Sequence, residues 1–543
     1  MIRWIRRLLA PPPGSGWLAA SALLLGLAHP PFHLLLPSFV ALVPYALWIE
    51  RLPEGAEGRS AALRGGFFLG LIYFTLVFYW LLVALVFYTP MAILAFGAPV
   101  LILSGFLALV TLGTLRVRRR LGWPVWIALP AFWTSMEWFR AQLADVAFPW
   151  MGLGDTLTGF PWLIGAADIV GSRGLTVWLV AINGLIAGLW AAGRRSDVTA
   201  SRGRLESRRA MGLALALLIV VPTAYSLYRW NTLKLLPAGR AVLVQPNIPE
   251  DLKLDSAAAV DSTVRATNTL LTSALAGGAD SVDLVLLPET ALPVFIDPIP
   301  SIPHAGRGDL VAWAGQWAQR FDAPILFGGI GADDLGEGEY DHFNSAFLLD
   351  REGRRLARYD KKYLVPIVER VPFVDPDLFR GVPFFGGFAV GVESPVLQAG
   401  GARFGVLICY ESIFTQLSRH YRNNGADFLV NITNDAWFGR AEPWWNRSSA
   451  LTQHPAHLVM RAIENRIGVA RAANTGISQF VDPLGRVEQS TELFTEAVVT
   501  GDVKTSAVLT LYTRFGDVLG WAAAITALLA VVMSAYKRVD DGV

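Results

Sequence analysis

Ala402-Arg403-Phe404-Gly405-Val406-Leu407-Ile408-Cys409-Tyr410-Glu411-Ser412 is the stretch from which the rest of the chain is best read. Its apolar run is short and rich in β-formers, and it closes on a polar turn, the pattern of a buried strand. Cys409 is the only cysteine among 543 residues, so an intramolecular disulfide framework is excluded. A thiol at the end of a strand, where a loop begins, is where α/β enzymes place nucleophiles. The competing reading of a lone cysteine is a small buried hydrophobe.

The same alternation extends on both sides of this strand. Strands are predicted over 241–245, 283–287, 324–327, 345–350, 353–359, 404–408, 428–431, 468–472 and 478–481, with helices over 257–275, 310–320, 414–422 and 448–465. Strands alternating with helices predict an α/β domain with a buried sheet, whose catalytic groups belong at strand ends.

Outside this region the composition changes. The chain is 53% hydrophobic and 17% charged with a net charge of +2, and the apolar residues are concentrated at 15–230 and 516–536. A bilayer takes roughly 20 apolar residues per helix, and about eight segments approach that length. They lie at 15–30, 32–50, 65–86, 90–114, 122–140, 162–192, 211–230 and 516–536. The first two, parted only by His29-Pro30-Pro31, are equally readable as one hairpin, and Gly171-Ser172-Arg173-Gly174 interrupts the sixth. Arg3, Arg6 and Arg7 precede an apolar stretch as in a signal peptide, but Pro11-Pro12-Pro13 intervenes and further spans follow, so an uncleaved first span is expected. The expected division is a membrane domain over 1–230, an α/β domain over 231–510, and a last helix with a short tail over 511–543.

Arginines mark alternate loops: Arg51, Arg59 and Arg64; Arg116 and Arg118 to Arg120; Arg194 to Arg209; then Lys537 and Arg538 after the last span. Between apolar spans such runs are topogenic rather than nucleic-acid patches, and they place these loops in the cytoplasm and 231–515 on the outer face.

Three strand ends carry reactive side chains. Glu289 follows 283–287 through Pro288, Lys361 follows Arg358-Tyr359-Asp360, and Cys409 closes its own strand. Singly, a loop Glu is usually solvated and a Lys beside Lys362 a surface charge. Together they suit one chemistry: a carboxylate takes the thiol proton, the thiolate attacks a carbonyl, and an ammonium stabilises the oxyanion. His454 and His457 stand at i and i+3 without a third ligand, so no metal is expected.

Leu287-Pro288-Glu289-Thr290, Tyr359-Asp360-Lys361-Lys362-Tyr363-Leu364-Val365-Pro366 and Ile408-Cys409-Tyr410-Glu411 resemble, in order, the Glu, Lys and Cys signatures of the nitrilase (carbon–nitrogen hydrolase) superfamily. Asn431-Ile432-Thr433-Asn434-Asp435-Ala436-Trp437-Phe438-Gly439, Arg461-Ala462-Ile463-Glu464-Asn465 and Ala473-Asn474-Thr475-Gly476-Ile477-Ser478 are similar to it as well. With the spans, Phe148-Pro149-Trp150 and Gln245-Pro246-Asn247-Ile248-Pro249, nearly the whole chain resembles the membrane-bound branch of that superfamily, the bacterial apolipoprotein N-acyltransferases.

The resemblance implies an α-β-β-α sandwich, with Glu289 as general base, Lys361 as oxyanion stabiliser and Cys409 as nucleophile. Glu369, Tyr410 and Glu411 support the site, and no cofactor is implied. It further implies a phospholipid acyl donor, a Cys thioester, and as acceptor the α-amine of a diacylglyceryl-cysteine on an apolipoprotein. Membrane lipids are the other partners; nucleic acid is not, and a monomer is expected. Asn247, Phe384, Phe385, Trp437 and Phe438 are candidate substrate contacts, and Trp444-Trp445 belongs to the same apolar loops; core packing is the alternative for them. Two departures from the branch are Pro366-Ile367-Val368-Glu369 in place of Pro-Phe-Gly-Glu, and Leu254 in place of a Trp. A membrane-tethered amidase acting on a small amide is the alternative activity.

The arginine pattern makes the first testable prediction. A reporter active only outside the cytoplasm is expected to work when fused near Ala399 and to fail near Ser201. The opposite pattern would invert the topology.

Overall fold

The computed structural model describes residues 11–87, 92–194, 201–253, 256–279, 281–302, 305–373 and 387–536. Arg3, Arg6, Arg7, Leu254, Phe384, Phe385, Lys537 and Arg538 therefore lie outside the described residues. The chain divides into two compact units: a helical one over 1–143, 147–232 and 517–543, and a second over 144–146 and 233–516.

In the helical unit, each of the eight apolar segments contains helix, but their lengths differ. Among the described residues five helices are long and apolar enough to cross a membrane: Gly55–Phe78, Ala92–Leu121, Ala167–Gly193, Glu206–Thr232 and Val518–Tyr536. The others, Ser15–Ala28, the pair Leu35–Val40 and Val43–Glu50, and Val125–Arg140, are shorter. The expected count of about eight crossings is thus carried by length and composition for five segments only. Pro44, lacking an N–H, sits where the Val43–Glu50 helix restarts. The helix from Ala167 kinks at Gly171, which adopts φ 67°. This unit also buries Glu137, whose carboxylate accepts from Trp133 Nε1 (3.0 Å), Leu153 N (2.9 Å) and Thr176 Oγ1 (2.8 Å). A buried carboxylate persists only when its oxygens are satisfied in this way.

The second unit is built on two sheets. Its strands are β1 (Leu236–Gln245), β2 (Leu284–Leu286), β3 (Leu292–Phe295), β4 (Ile325–Gly336), β5 (Glu339–Leu349), β6 (Arg355–Asp360), β7 (Leu397–Ala399), β8 (Ala402–Ile408), β9 (Phe428–Thr433), β10 (Gly468–Ala473), β11 (Gln479–Val481), β12 (Val487–Glu488) and β13 (Ala497–Thr505). One sheet runs β13-β1-β2-β4-β5-β6 with β3 beside β4, and the other runs β12-β11-β10-β9-β8-β7. The centre of each is parallel, β1-β2-β4 and β8-β9-β10, and both end in antiparallel pairs. Parallel strands need crossover helices and are buried on both faces, which is why they read as unbroken apolar runs.

Four helices cover the sheets: α1 (Ser256–Ala276), α2 (Gly308–Phe321), α3 (Thr415–Asn423) and α4 (Ala450–Asn465). Leu270, Leu271 and Ala274 of α1 and Leu310, Ala314, Trp317 and Phe321 of α2 pack in one core with Val242, Val244, Val285, Ile325, Phe327 and Phe347. Helix α3 packs on β8 and β9, and α4 on β10 and β11. The inner faces meet where β1 and β13 lie against β10 and where β5 lies against β8. The result is the expected α-β-β-α sandwich.

Phe327 and Phe347, paired across β4 and β5 with stacked rings 5.6 Å apart, are fully buried in the first core. Phe327→Ala is expected to cost about 3–5 kcal/mol, read as a lower denaturation midpoint of the detergent-solubilised protein.

Candidate active site

Glu289, Cys409 and Asp435 each follow the C-terminal end of a parallel strand, β2, β8 and β9 respectively, and Lys361 follows β6. Glu289 hangs on a turn in which Thr290 has φ 45°. That turn lies against β4, where a methyl group on Gly328 would come within 2.5 Å of Thr290 N and 2.7 Å of Glu289 Cα. Glycine is therefore what lets the carboxylate come this close to the sheet.

Lys361 is held at both ends. Its N–H donates to Asn344 O (2.9 Å), and its Nζ donates to Glu289 Oε1 (3.2 Å) and Glu369 Oε1 (2.9 Å). Asn344 Nδ2 donates to the same two oxygens, 2.8 Å each. The second oxygens are also satisfied, Glu289 Oε2 by Asn434 N (2.8 Å) and Glu369 Oε2 by Val365 N (2.7 Å). All four side chains are buried. Burial disfavours the charge on Glu289, but the Lys361 ammonium and the Asn344 and Asn434 donors outweigh it and hold its carboxyl below the usual range. Burial likewise opposes the charge on Lys361, and the two carboxylates outweigh it, so its ammonium is held far above the ordinary lysine range.

The Ile367-Val368 departure does not undo the turn that carries Glu369. Ile367 takes φ 72°, a conformation unusual for a β-branched residue, and its N donates to Arg370 O (2.7 Å) while Glu369 N donates to Val365 O (3.0 Å).

Cys409 also has a left-handed backbone, φ 47°, and opens a short 3-10 turn, Cys409–Ile413. Its thiol is buried, which pushes its pKa well up; the Glu289 carboxylate raises it further while Lys361 pulls it down.

Glu411 joins the two loops. Its Oε1 accepts from Tyr359 OH (2.7 Å), Lys362 N (2.7 Å) and Tyr363 N (3.2 Å), and its Oε2 accepts from Ile408 N (2.8 Å). Burial raises its pKa to about 7 against the pull of these donors. Tyr410 packs edge-on against Phe414, which stacks on Tyr363. Lys362, by contrast, directs its Nζ to Val392 O (3.3 Å) in an exposed position.

Of the other candidates, Asn247 has φ 54° and its Nδ2 donates to Phe494 O (3.1 Å), a long-range bond to the loop before β13. Phe438 is buried edge-on against His454, Trp437 is half-buried, and Trp444 and Trp445 are exposed. His454 is tied to Asp435 (Nδ1 to Oδ1, 2.9 Å), a pairing that reading the two histidines only as possible metal ligands misses. Among the described residues no group of three or more His, Cys, Asp or Glu is placed to hold a metal.

Two mixed β-sheets covered by helices, with a carboxylate, an ammonium and a thiol just beyond their strand ends, make up the region that the carbon-nitrogen hydrolase family model matches, residues 240–511, and this is a carbon–nitrogen hydrolase domain. The model of the apolipoprotein N-acyltransferase N-terminal domain matches 21–185. The chain is 32% identical to an apolipoprotein N-acyltransferase of Geobacter metallireducens, over 94% of each chain. It is 31% identical to one of Allorhizobium ampelinum, over 98% of this chain and 96% of that one. Among solved structures it is similar to an amidase of Nesterenkonia sp. AN1, with 20% identity, 51% of this chain and 94% of that chain covered, and a TM-score of 0.35. The chain belongs to the apolipoprotein N-acyltransferase family.

The carboxylates also make a pH prediction. Glu289 and Asp435 titrate below their ordinary 4.5 and 3.8 when folded, so each adds stability above those values that is lost as pH falls. The unfolding midpoint is expected to drop on acidification below about pH 4.5, and Glu289→Gln to flatten that slope. An unchanged slope would mean Glu289 is not held ionised in the fold.

Proposed function

We propose that the protein is a membrane-bound acyltransferase that moves a fatty acyl chain from a phospholipid to the α-amine of a diacylglyceryl-cysteine on an apolipoprotein. It acts as a monomer in the bacterial inner membrane with its α/β unit on the outer face. The observation that carries this reading is the Lys361 ammonium shared between Glu289 and Glu369 in a chain of this family whose only thiol closes β8.

In the first half-reaction, Glu289 takes the Cys409 proton as sulfur attacks the donor ester carbonyl. Because the thiol is held up and the carboxyl held down, proton transfer is coupled to attack rather than preceding it. Lys361 stabilises the tetrahedral oxyanion, an interaction strengthened by burial. The intermediate collapses, the C–O bond breaks, and Glu289 returns the proton to the leaving lysophospholipid alkoxide. The acyl group is now a thioester.

In the second half-reaction the acceptor amine attacks the thioester. Glu289 takes the amine proton, Lys361 again stabilises the oxyanion, and the C–S bond breaks to give the amide and a sulfur that recovers the proton. Anchoring both substrates and the catalyst in one bilayer raises their effective concentration. Trp437, Phe438, Phe384 and Phe385 are the proposed acyl contacts, and Asn247 is a further proposed substrate contact.

Intact-protein mass spectrometry after incubation with phospholipid tests this. One acyl adduct is expected on the wild type and none on Cys409→Ala. Lys361→Ala is expected to slow adduct formation by about 10²–10³, and Glu289→Gln by about 10²–10⁴. Lys362→Ala should stay near wild type. No adduct with phospholipid, together with hydrolysis of a small amide, would assign the amidase activity instead.

A further inference from the structure

A second buried polar network grips the nucleophile from its backbone. His454 Nε2 lies 3.1 Å from Cys409 O and 3.0 Å from Ser412 Oγ, so one ring nitrogen meets both ends of the turn that carries the thiol. The ring is itself oriented. Its Nδ1 stands 2.9 Å from Asp435 Oδ1, and Arg471 Nη2 donates to Asp435 Oδ2 (2.5 Å). Thr433 Oγ1 donates to Asp435 Oδ1 (2.9 Å), Arg471 Nη1 to Asn431 Oδ1 (2.5 Å), and Arg471 Nε to Ile477 O (3.0 Å). Ser412, Asp435, His454 and Arg471 are all 0% exposed.

Burial alone would make this fold glue, but where the network ends argues for more. Strands β9 and β10 anchor Asn431 and Arg471, and the chain of bonds terminates on the carbonyl of the one residue with the thiol. That residue has φ 47°, a conformation that persists only when its surroundings impose it. Relaxing it would swing the Cα–Cβ bond and redirect the sulfur.

We infer that His454 is a positioning residue for the Cys409 nucleophile, oriented by Asp435, which is oriented in turn by Arg471. Asp435 Oδ1 and Cys409 O can only accept, so both ring nitrogens donate, Nδ1–H to the carboxylate and Nε2–H to the nucleophile turn. The ring touches neither the sulfur nor the substrate; it sets the direction of Sγ through the main chain. This inference rests on Cys409 as the nucleophile, and its test includes an arm that needs no acyl donor.

In that arm, the folded protein is alkylated with iodoacetamide and followed by intact mass, Cys409 being the only thiol. His454→Ala is expected to change the alkylation rate by more than about threefold and to lower the single-turnover acylation rate by about tenfold with KM nearly unchanged. His454→Gln, whose amide can still reach the carbonyl, should recover most of both. Thermal unfolding is measured in parallel, and all rates are taken well below each midpoint. Should His454→Ala fail to fold, Ser412→Ala, which removes one of the two contacts, is expected to shift the alkylation rate without moving the unfolding midpoint. Wild-type alkylation and acylation rates in the folded variants, or a Gln variant no better than Ala, overturn the positioning role. Absence of an acyl adduct on the wild type would instead count against the phospholipid reading, leaving the alkylation comparison to decide the role of His454.

Discussion

The buried Lys361 ammonium is the constraint that orders this site. One cation sits between two carboxylates, with Asn344 bridging the same pair, and all four groups are buried. Removing such charges from water costs several kcal/mol each unless every lone pair and proton is matched. Here the matching draws on β5, the end of β6, the turn after β2, the loop bearing Glu369 and the backbone after β9. Each partner is fixed because the others are. Burial and the Glu289 carboxylate hold the Cys409 thiol pKa up, while the Lys361 ammonium pulls the other way.

Two further anchors turn this electrostatic centre into a geometry. Glu411 draws the Lys361 loop and the Cys409 turn together through four donors. His454, on α4, reaches the same turn, its ring tied to Asp435 after β9. The thiol is thereby located relative to both β-layers, and the unusual backbone angles at Thr290, Ile367 and Cys409 are concentrated in the loops that meet there.

The parallel strands and three reactive residues were readable in the sequence because buried strands are continuous apolar runs and their ends change abruptly in chemistry. Predicted 283–287 and 404–408 fall on β2 and β8 almost residue for residue. Strand β4 runs nine residues beyond predicted 327, to Gly336, because Asp333-Asp334-Leu335-Gly336-Glu337-Gly338 is polar and looks like loop; only its ladder to β5 makes it strand. Strand β13 went unread since its Ala497–Thr505 sequence is mostly half-buried, and its identity comes from pairing with β1, more than two hundred residues away. His454 and Asp435 were each visible, but nothing in their spacing of nineteen residues announces a bond; the fold alone brings them together. The eight apolar segments were legible as helix, whereas their lengths depended on Pro44 and the local turns.

The pairing of β1 with β13 has a mechanical meaning. Leu236, which follows closely on the helix ending at Thr232, stands opposite Thr505, and the ladder runs from there to Gln245 opposite Ala497. The first and last strands of the α/β unit are thus neighbours in one ladder, and the residues after β13 then bind to α3 and α4 through Asn423 and Thr510. Tension applied at Leu236 and Thr505 would load its hydrogen bonds one rung at a time, as in opening a zipper, rather than all together in shear. Cys409 follows β8 of the other sheet, so the first rungs to yield would not include the strand that leads to the thiol.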